Sequence, residues 1–352
     1  SKYKYDFFFL LTIFIYLVLN SIIQNYINNS VIFSDEGTIR SIGFLKYILF
    51  YFATCYFFSR IKLKKNYIFY TWVLVVILII IDVYFEKIFK YNLIKNISPS
   101  NERVVSFFGD ELIVGYFILG FGFISGSFLI ENLIKSKLNW LIIFILILLT
   151  ITIFITGERT NFIRAFIVSS LCLYFISKYI HKINLKFYLF SLLMVGIITL
   201  IISDNLRTRY FTFFNEITYA YKNTNENIFS KTKHFYNYKT GIDIFKKNKL
   251  FGVGNKKFRK ACLENENYDE KTISFGCSTH PHQTYFEILS EHGIVGFIII
   301  FTTSLLFIRK SLKLFLSTKS LILLSCVLFY STIWIPLLPY GSFFSTASFS
   351  IT

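Results

Sequence analysis

The chain has 352 residues, of which 54% are hydrophobic and 20% aromatic, and it carries a formal charge of +17. Repeated apolar runs of about 18 residues or more exclude an ordinary soluble domain and mark an all-α integral membrane protein with many spans. On that background the positive charge reads as the Lys/Arg bias of membrane loops, so membrane lipids are the expected surroundings and no nucleic-acid partner is expected.

Taken in chain order, the pattern predicts spans over 7–26, 42–59, 67–85, 112–130, 139–156, 162–177, 187–203, 284–308 and 319–337. Lys2 and Lys4 ahead of Phe7–Leu19 mimic a signal peptide, but no small-residue cleavage site follows, so the first span reads as uncleaved. Asp82 is the only deep carboxylate in the first spans. Gly115, Gly120, Gly122 and Gly126 line the fourth span, and Gly122/Gly126 have the small-xxx-small spacing of close helix packing.

The connections alternate in character. One set holds Lys2/Lys4, Arg60/Lys62/Lys64/Lys65, Lys135/Lys137, Lys178/Lys182/Lys186 and Arg309/Lys310/Lys313. The other holds 27–41, 86–111, 157–161, 204–283 and 338–352, and its short members are poor in Lys and Arg. The positive-inside rule puts the first set in the cytoplasm. The expected organisation is a membrane domain of seven spans over 1–203, a long outer loop with short helices over 204–283, and spans eight and nine over 284–352, ending in what reads as the unfinished start of a tenth.

The long loop is itself basic, with Arg207, Arg209, Lys231, Lys233, Lys239, Lys246, Lys247, Lys249, Lys256, Lys257, Arg259 and Lys260. Loops beyond about 60 residues translocate largely regardless of charge, so the topology stands. The charge reads either as a face for an anionic partner or as solvated surface. Within it, "FGVGNKKF" at 251–258 holds a lone G-x-G, which reads as a turn after a short helix rather than a dinucleotide site.

Cys55, Cys172 and Cys326 fall inside spans and read as inert packing. Cys262 and Cys277 both lie in the outer loop, where an oxidising compartment allows them to pair. Closing a loop of about 15 residues contributes roughly 3 kcal/mol on the chain-entropy account. The competing reading is a zinc site from Cys277, His280 and His282, whose spacing fits no strong zinc signature.

The stretch "STHPHQTYFEILSEHGIVGF" runs from Ser278 to Phe297 and passes from polar, histidine-rich sequence into a span. Thr284 and Glu287 have capping-box spacing, which predicts a helix start there and puts His282 two residues ahead of the cap. The positive end of that helix favours a nearby phosphate and disfavours an imidazolium. A neutral His282, held by the stiff His280-Pro281-His282 turn, is therefore a candidate general base. "TGERTNFIR" at 156–164 places Arg159 in a tight outer connection and Arg164 about one turn into the next span, where an arginine is costly unless paired or lining a polar cavity. "DNLRTRYF" at 204–211 brings Arg207 and Arg209 to the same outer face. Guanidinium groups bind phosphate oxygens in pairs, so these arginines beside a base point to a lipid-linked diphosphate attacked by a hydroxyl.

These residues resemble the bacterial O-antigen ligase / O-antigen polymerase family of membrane glycosyltransferases, from about Asp82 to the end of the chain. The ligase motif reads here as His282, Gln283, the nine residues Thr284–His292, Gly293, two residues and Gly296. "TGERT" looks like the family's arginine-bearing hairpin, and "FFGDELIVG" at 107–115 like its segment entering a middle span. The resemblance implies a polytopic GT-C-like helical bundle with one long periplasmic loop, in the bacterial inner (cytoplasmic) membrane, with the active site facing the periplasm. It implies an undecaprenyl-diphosphate-linked glycan as donor, lipid A–core or another glycan as acceptor, and a metal-independent reaction without a cofactor. Matched by motif, His282 stands for the essential histidine, Arg159 for the hairpin arginine, and Arg207 or Arg209 for the arginine at the start of the large loop. Arg164, His280, Gln283, Thr284, Glu287, Gly293 and Gly296 would support them. The ligase branch is favoured; a polymerase would extend lipid-linked repeats with the same parts. A transporter would call for paired mid-membrane charges and inverted repeats, and no repeat is visible. A structural scaffold leaves the whole motif unexplained.

Overall fold

The structure is a computed structural model that describes residues 4–27, 36–60, 66–99, 103–109, 111–135, 138–211 and 233–344. Lys2, Lys62, Lys64, Lys65, Lys137 and Lys231, which entered the charge reading, lie outside the described residues, as does 345–352, where the start of a tenth span was expected.

Among the described residues the chain is all-helical. The helices are α1 Lys4–Ile27, α2 Glu36–Gly43, α3 Leu45–Arg60, α4 Asn66–Phe89, α5 Val114–Phe117, α6 Phe123–Lys135, α7 Asn139–Ile155, α8 Arg159–Tyr179, α9 Leu185–Ile202, α10 Lys233–Lys247, α11 Phe258–Leu263, α12 Glu270–Gly276, α13 Thr284–Thr318 and α14 Leu321–Ser331. Among the described residues, seven stretches are long and apolar enough to cross a membrane: Phe7–Ile27, Gly37–Arg60, Asn66–Phe89, Val114–Ile134, Arg159–Tyr179, Leu185–Ile202 and Thr284–Thr318. The remaining two expected spans are the shorter apolar helices Asn139–Ile155 and Leu321–Trp334. The chain is a multi-pass membrane protein. Lipid offers backbone groups no partner, so runs this apolar must satisfy their N–H and C=O groups internally, and the helix does so residue by residue.

The chain divides into two compact units. Unit 1 draws on Ser1–Lys62, Asn227–Arg309 and Ile333–Ser350, and unit 2 on Leu63–Glu226 and Lys310–Thr332. Unit 2 holds the large apolar core, in which Ile118, Leu119, Phe123, Ile142, Leu146, Ile153, Leu173 and Leu324 are fully buried or nearly so. Gly122 and Gly126 let α6 approach α7 closely: a Cβ on either would come within 2.9–3.2 Å of a Leu149 methyl. Glu131 of α6 accepts the N–H groups of Leu321 and Ile322 at 2.5 and 3.2 Å, placing a carboxylate on the positive end of α14. Asp82 and Glu86 are buried, and both are taken up by the segment that follows α4. Asp82 accepts from the Leu93 N–H and the Ser106 hydroxyl, and Glu86 from the N–H groups of Val105 and Ser106.

Unit 1 includes two smaller cores among its described residues. In one, Tyr16 and Leu17 of α1 pack with Phe44 and Ile48, against Val295 and Ile299. In the other, Ile244, Phe258 and the Cys262–Cys277 disulfide close the helical part of the long loop. The first span carries a polar stripe at helical spacing that the apolar reading of 7–26 overlooked. Tyr16, Asn20 and Gln24 are buried, and each reaches the distant segment 252–292.

Candidate functional site

The histidine corner lies in unit 1. It starts from the disulfide, which joins α11 to the end of α12 with Cα atoms 5.4 Å apart. The bond takes the Cys277 sulfur away from the zinc reading, which fails for that reason. Beyond it, Ser278 Oγ sits 2.7 Å from Asn237 Oδ1 and 2.6 Å from the His280 carbonyl, pinning the turn. Pro281 is buried, and His282 takes a left-handed backbone (φ 57°), its carbonyl accepting the Tyr340 N–H at 2.8 Å. The His282 ring lies 4.1 Å from that of His280 and 5.9 Å from that of His234 on α10, a histidine the sequence reading did not select. Burial, with two imidazoles alongside, pushes the His282 pKa down to about 4. The ring is neutral as expected, but the main cause is desolvation rather than the helix end. Burial also lowers His280, whose Nε2 is buried without a hydrogen-bond partner.

The expected capping box does not form. Gln283 caps α13, its Oε1 accepting the Phe286 N–H at 3.1 Å, while Thr284 Oγ1 donates to the Ile333 carbonyl. Glu287 faces away from the helix start. Fully buried, it accepts from Lys256 Nζ at 3.2 Å, from Ser342 Oγ at 2.5 Å and from the Phe343 N–H at 2.8 Å. A carboxylate so buried is tolerable because it is both paired and hydrogen-bonded.

The eighth span is not one continuous helix from Thr284. Gly293 breaks it with φ 64° and ψ −167°. The break leaves backbone groups without helical partners, and the segment Lys249–Gly254 supplies them. Val253 and Gly254 donate to the carbonyls of Ser290 and Glu291, while Ile294 and Val295 donate to those of Lys249 and Leu250. A Cβ at Gly293 would sit 2.3 Å from the Leu250 carbonyl oxygen, and one at Gly296 2.4 Å from Tyr16 Oη, which donates to the His292 carbonyl. The two glycines of the motif thus build a broken helix clasped by a distant turn. Lys256, on that same turn, adds its own N–H to Glu291 Oε2 at 2.9 Å.

The arginine corner lies in unit 2. The α7–α8 connection turns at Gly157 (φ 77°) and Glu158. Glu158 is buried, and burial raises its carboxyl pKa. Its oxygens accept from the Gly115 N–H at 2.7 Å and from Asn161 Nδ2 at 2.5 Å, and Asn161 Oδ1 accepts from Arg164 Nη1 at 3.0 Å. Arg164, 2% exposed, is therefore settled by a Glu158–Asn161–Arg164 relay along one face of α8. Gly115 has to be small, since a Cβ there would come within 2.9 Å of the Glu158 carboxylate. Arg159 begins α8, half-buried. Arg209 is buried and its Nε donates to the Gly157 carbonyl at 2.7 Å. Arg209, Arg159 and Arg103 all act electrostatically on the Tyr210 hydroxyl, whose pKa burial raises. Arg207 is set apart: about half-exposed, it pairs with Asp204 at 2.5 Å.

Residues 144–301 match the family model described as O-antigen ligase. In this stretch the chain is similar to the O-antigen ligases. No curated protein matches the chain. The matched stretch runs from within α7 to the middle of α13, so it takes in the Arg159 hairpin, Arg207 and Arg209, the helices of the long loop and the whole His282–Gly296 motif. The family supports a glycan-transfer enzyme acting on a lipid-linked donor.

Of the residues singled out from sequence, His280, His282, Gln283, Thr284, Glu287, Gly293 and Gly296 gather in unit 1, and Arg159, Arg164 and Arg209 in unit 2. Those missed are His234, Lys256 and Glu291 in the first, and Arg103, Glu158 and Asn161 in the second. Glu158 and Asn161 stand inside the quoted "TGERTN" and were legible as an i, i+3 pair beside Arg164. Lys256 had no local signal, because its partner Glu287 is 31 residues away.

Proposed function

We propose that the protein transfers a glycan from undecaprenyl diphosphate to a sugar hydroxyl of lipid A–core at the periplasmic face of the bacterial inner membrane. His282 takes the proton from the acceptor hydroxyl. The oxygen attacks the anomeric carbon of the donor sugar, a new C–O bond forms, and the bond to the diphosphate breaks with its electron pair leaving on undecaprenyl diphosphate. Arg159 and Arg209 hold that diphosphate and stabilise the charge it gains. Arg103 adds to the same field, and Arg164 is a positioning residue through Asn161. The periplasmic orientation rests on the Lys/Arg bias of the short loops.

The observation that carries this reading is the His282 ring. It is uncharged at neutral pH, fixed by a left-handed turn, and belongs to the ligase motif. Purified His282→Ala protein, assayed with a lipid-linked glycan donor and lipid A–core, is expected to lose about 10²–10⁴-fold in rate, the range of a general base. Transfer at the wild-type rate would remove His282 from the chemistry. Growth of lipid-linked chains without transfer to lipid A–core would assign the polymerase branch instead.

A further inference from the structure

Unit 1 contains a cavity of about 1180 Å³ that the mechanism above does not use. It opens beside the catalytic turn: Thr279 and His280 line it, and the His280 ring is 4.1 Å from that of His282. Among the described residues, five cationic side chains line it, Arg40, Lys46, Lys256, Arg259 and Lys260, against one carboxylate, Glu264. Lys256 is already paired with Glu287, and Glu264 lies 3.8 Å from Lys260. Apolar side chains line it as well, among them Leu17, Phe44 and Phe344.

Two chain segments far apart in sequence make this concentration of charge. Arg40 and Lys46 stand near the start of the second apolar stretch, Gly37–Arg60, at the end assigned to the outer face, where the positive-inside bias gives no reason for cations. Arg259 and Lys260 come from α11, a helix whose register is divided. Phe258 and Cys262 turn into the core at 0% exposure, which sends Arg259, Lys260 and Leu263 to the cavity. A scatter of solvated lysines would not share one cavity with these apolar side chains. The volume exceeds the roughly 300–1,000 Å³ of ordinary small-molecule pockets and has room for a sugar headgroup.

We propose that this cavity seats a phosphate group carried by the acceptor glycolipid, with its apolar lining residues receiving the part of the molecule next to its lipid. This rests on the glycan-transfer reading, because it makes the acceptor an anionic amphiphile whose hydroxyl is delivered past His280 to His282. It is separate from the donor diphosphate, which is assigned to arginines of unit 2.

The test measures binding rather than turnover. The full chain, held in nanodiscs of neutral phosphatidylcholine, is titrated with a monophosphorylated disaccharide glycolipid, with the same compound dephosphorylated, and with inorganic phosphate. Loss of the phosphate is expected to weaken binding about tenfold or more, the size of one charge-assisted hydrogen bond. The Arg40→Gln/Arg259→Gln/Lys260→Gln protein should show the same loss, whereas Arg159→Gln/Arg209→Gln should not. Inorganic phosphate binding as tightly as the glycolipid would overturn the amphiphile assignment, and an unaffected triple variant would overturn the site. A second measurement needs no substitution: the phosphorylated glycolipid should protect Lys46 and Lys260 from acetylation and leave Lys310 and Lys313 unchanged, and equal labelling of all four would also overturn the site. His282→Ala should keep this binding while losing transfer. If that variant kept transfer, the catalytic reading would fail while the binding result stood on its own.

Discussion

The two polar corners solve the same problem by different routes. Each buries a carboxylate near a cation. In unit 2, Glu158, Asn161 and Arg164 are three residues apart along one helix, with only the Gly115 N–H brought from elsewhere. In unit 1, Glu287 is met by Lys256 from 31 residues before it and by Ser342 and Phe343 from 55 and 56 residues after it. A local relay forms as its helix forms. A long-range one exists only once the segments around 256 and 342 have been ordered, and the entropy of ordering them must be offset by what they gain together. The histidine corner is thus the more dependent on tertiary structure, although its motif is the more visible in sequence.

Lys256→Met tests that contrast hardest. Breaking a buried pair leaves a carboxylate uncompensated, with a cost of about 3–5 kcal/mol. The variant should show a large fall in thermal midpoint in detergent, and Lys256→Met/Glu287→Met should recover most of it. A single variant as stable as the wild type would show that the pair does not hold the corner. Asn161→Ala should cost less, about 1–3 kcal/mol, because it leaves the Glu158 and Arg164 groups short of one hydrogen bond each while their helix persists. Its effect on donor KM should exceed its effect on kcat, since it disturbs positioning of the arginine corner. A fall confined to kcat would contradict that role.

The smallest expected effect is that of pH. The folded pKa of His282, about 4, lies below the ordinary imidazole value of about 6.5. The unfolded chain therefore binds the proton first as pH falls. The stability this ring contributes is complete above about 6.5 and is lost progressively towards 4. The rate should follow the neutral ring, staying nearly flat from pH 8 to 5.5 and falling only as pH approaches 4. A midpoint near 6.5 in the pH–rate profile would show an ordinary solvated imidazole and would undo the account of burial given above.

Much of the fold was legible, and for one reason. Apolar runs of span length have few alternatives in lipid, so all nine expected spans fall on helices; most ends shift by a few residues, while the eighth runs on to Thr318 and is interrupted at Gly293. The buried stripe of Tyr16, Asn20 and Gln24 repeats at i, i+4, i+8 and stood in plain sight within a run read as uniformly apolar. The capping box failed although its spacing was right: Glu287 found a buried cation, and Gln283 took the cap. The break at Gly293 was hidden because a glycine inside an apolar run has the same appearance whether the helix continues or stops. Only the docked turn at 252–254 decides which.

By itself, then, the sequence determined that this is a helical membrane protein, where its spans lie, and which motif carries the ligase resemblance. Those features follow from hydrophobicity and spacing, which act over a few turns of helix. Tertiary structure alone decided that His282 is neutral chiefly through burial, that Arg209 rather than Arg207 joins the arginine hairpin, and that Lys256 partners Glu287. Desolvation and ion pairing depend on which distant segments exclude water from a group, and neighbours along the chain do not record that.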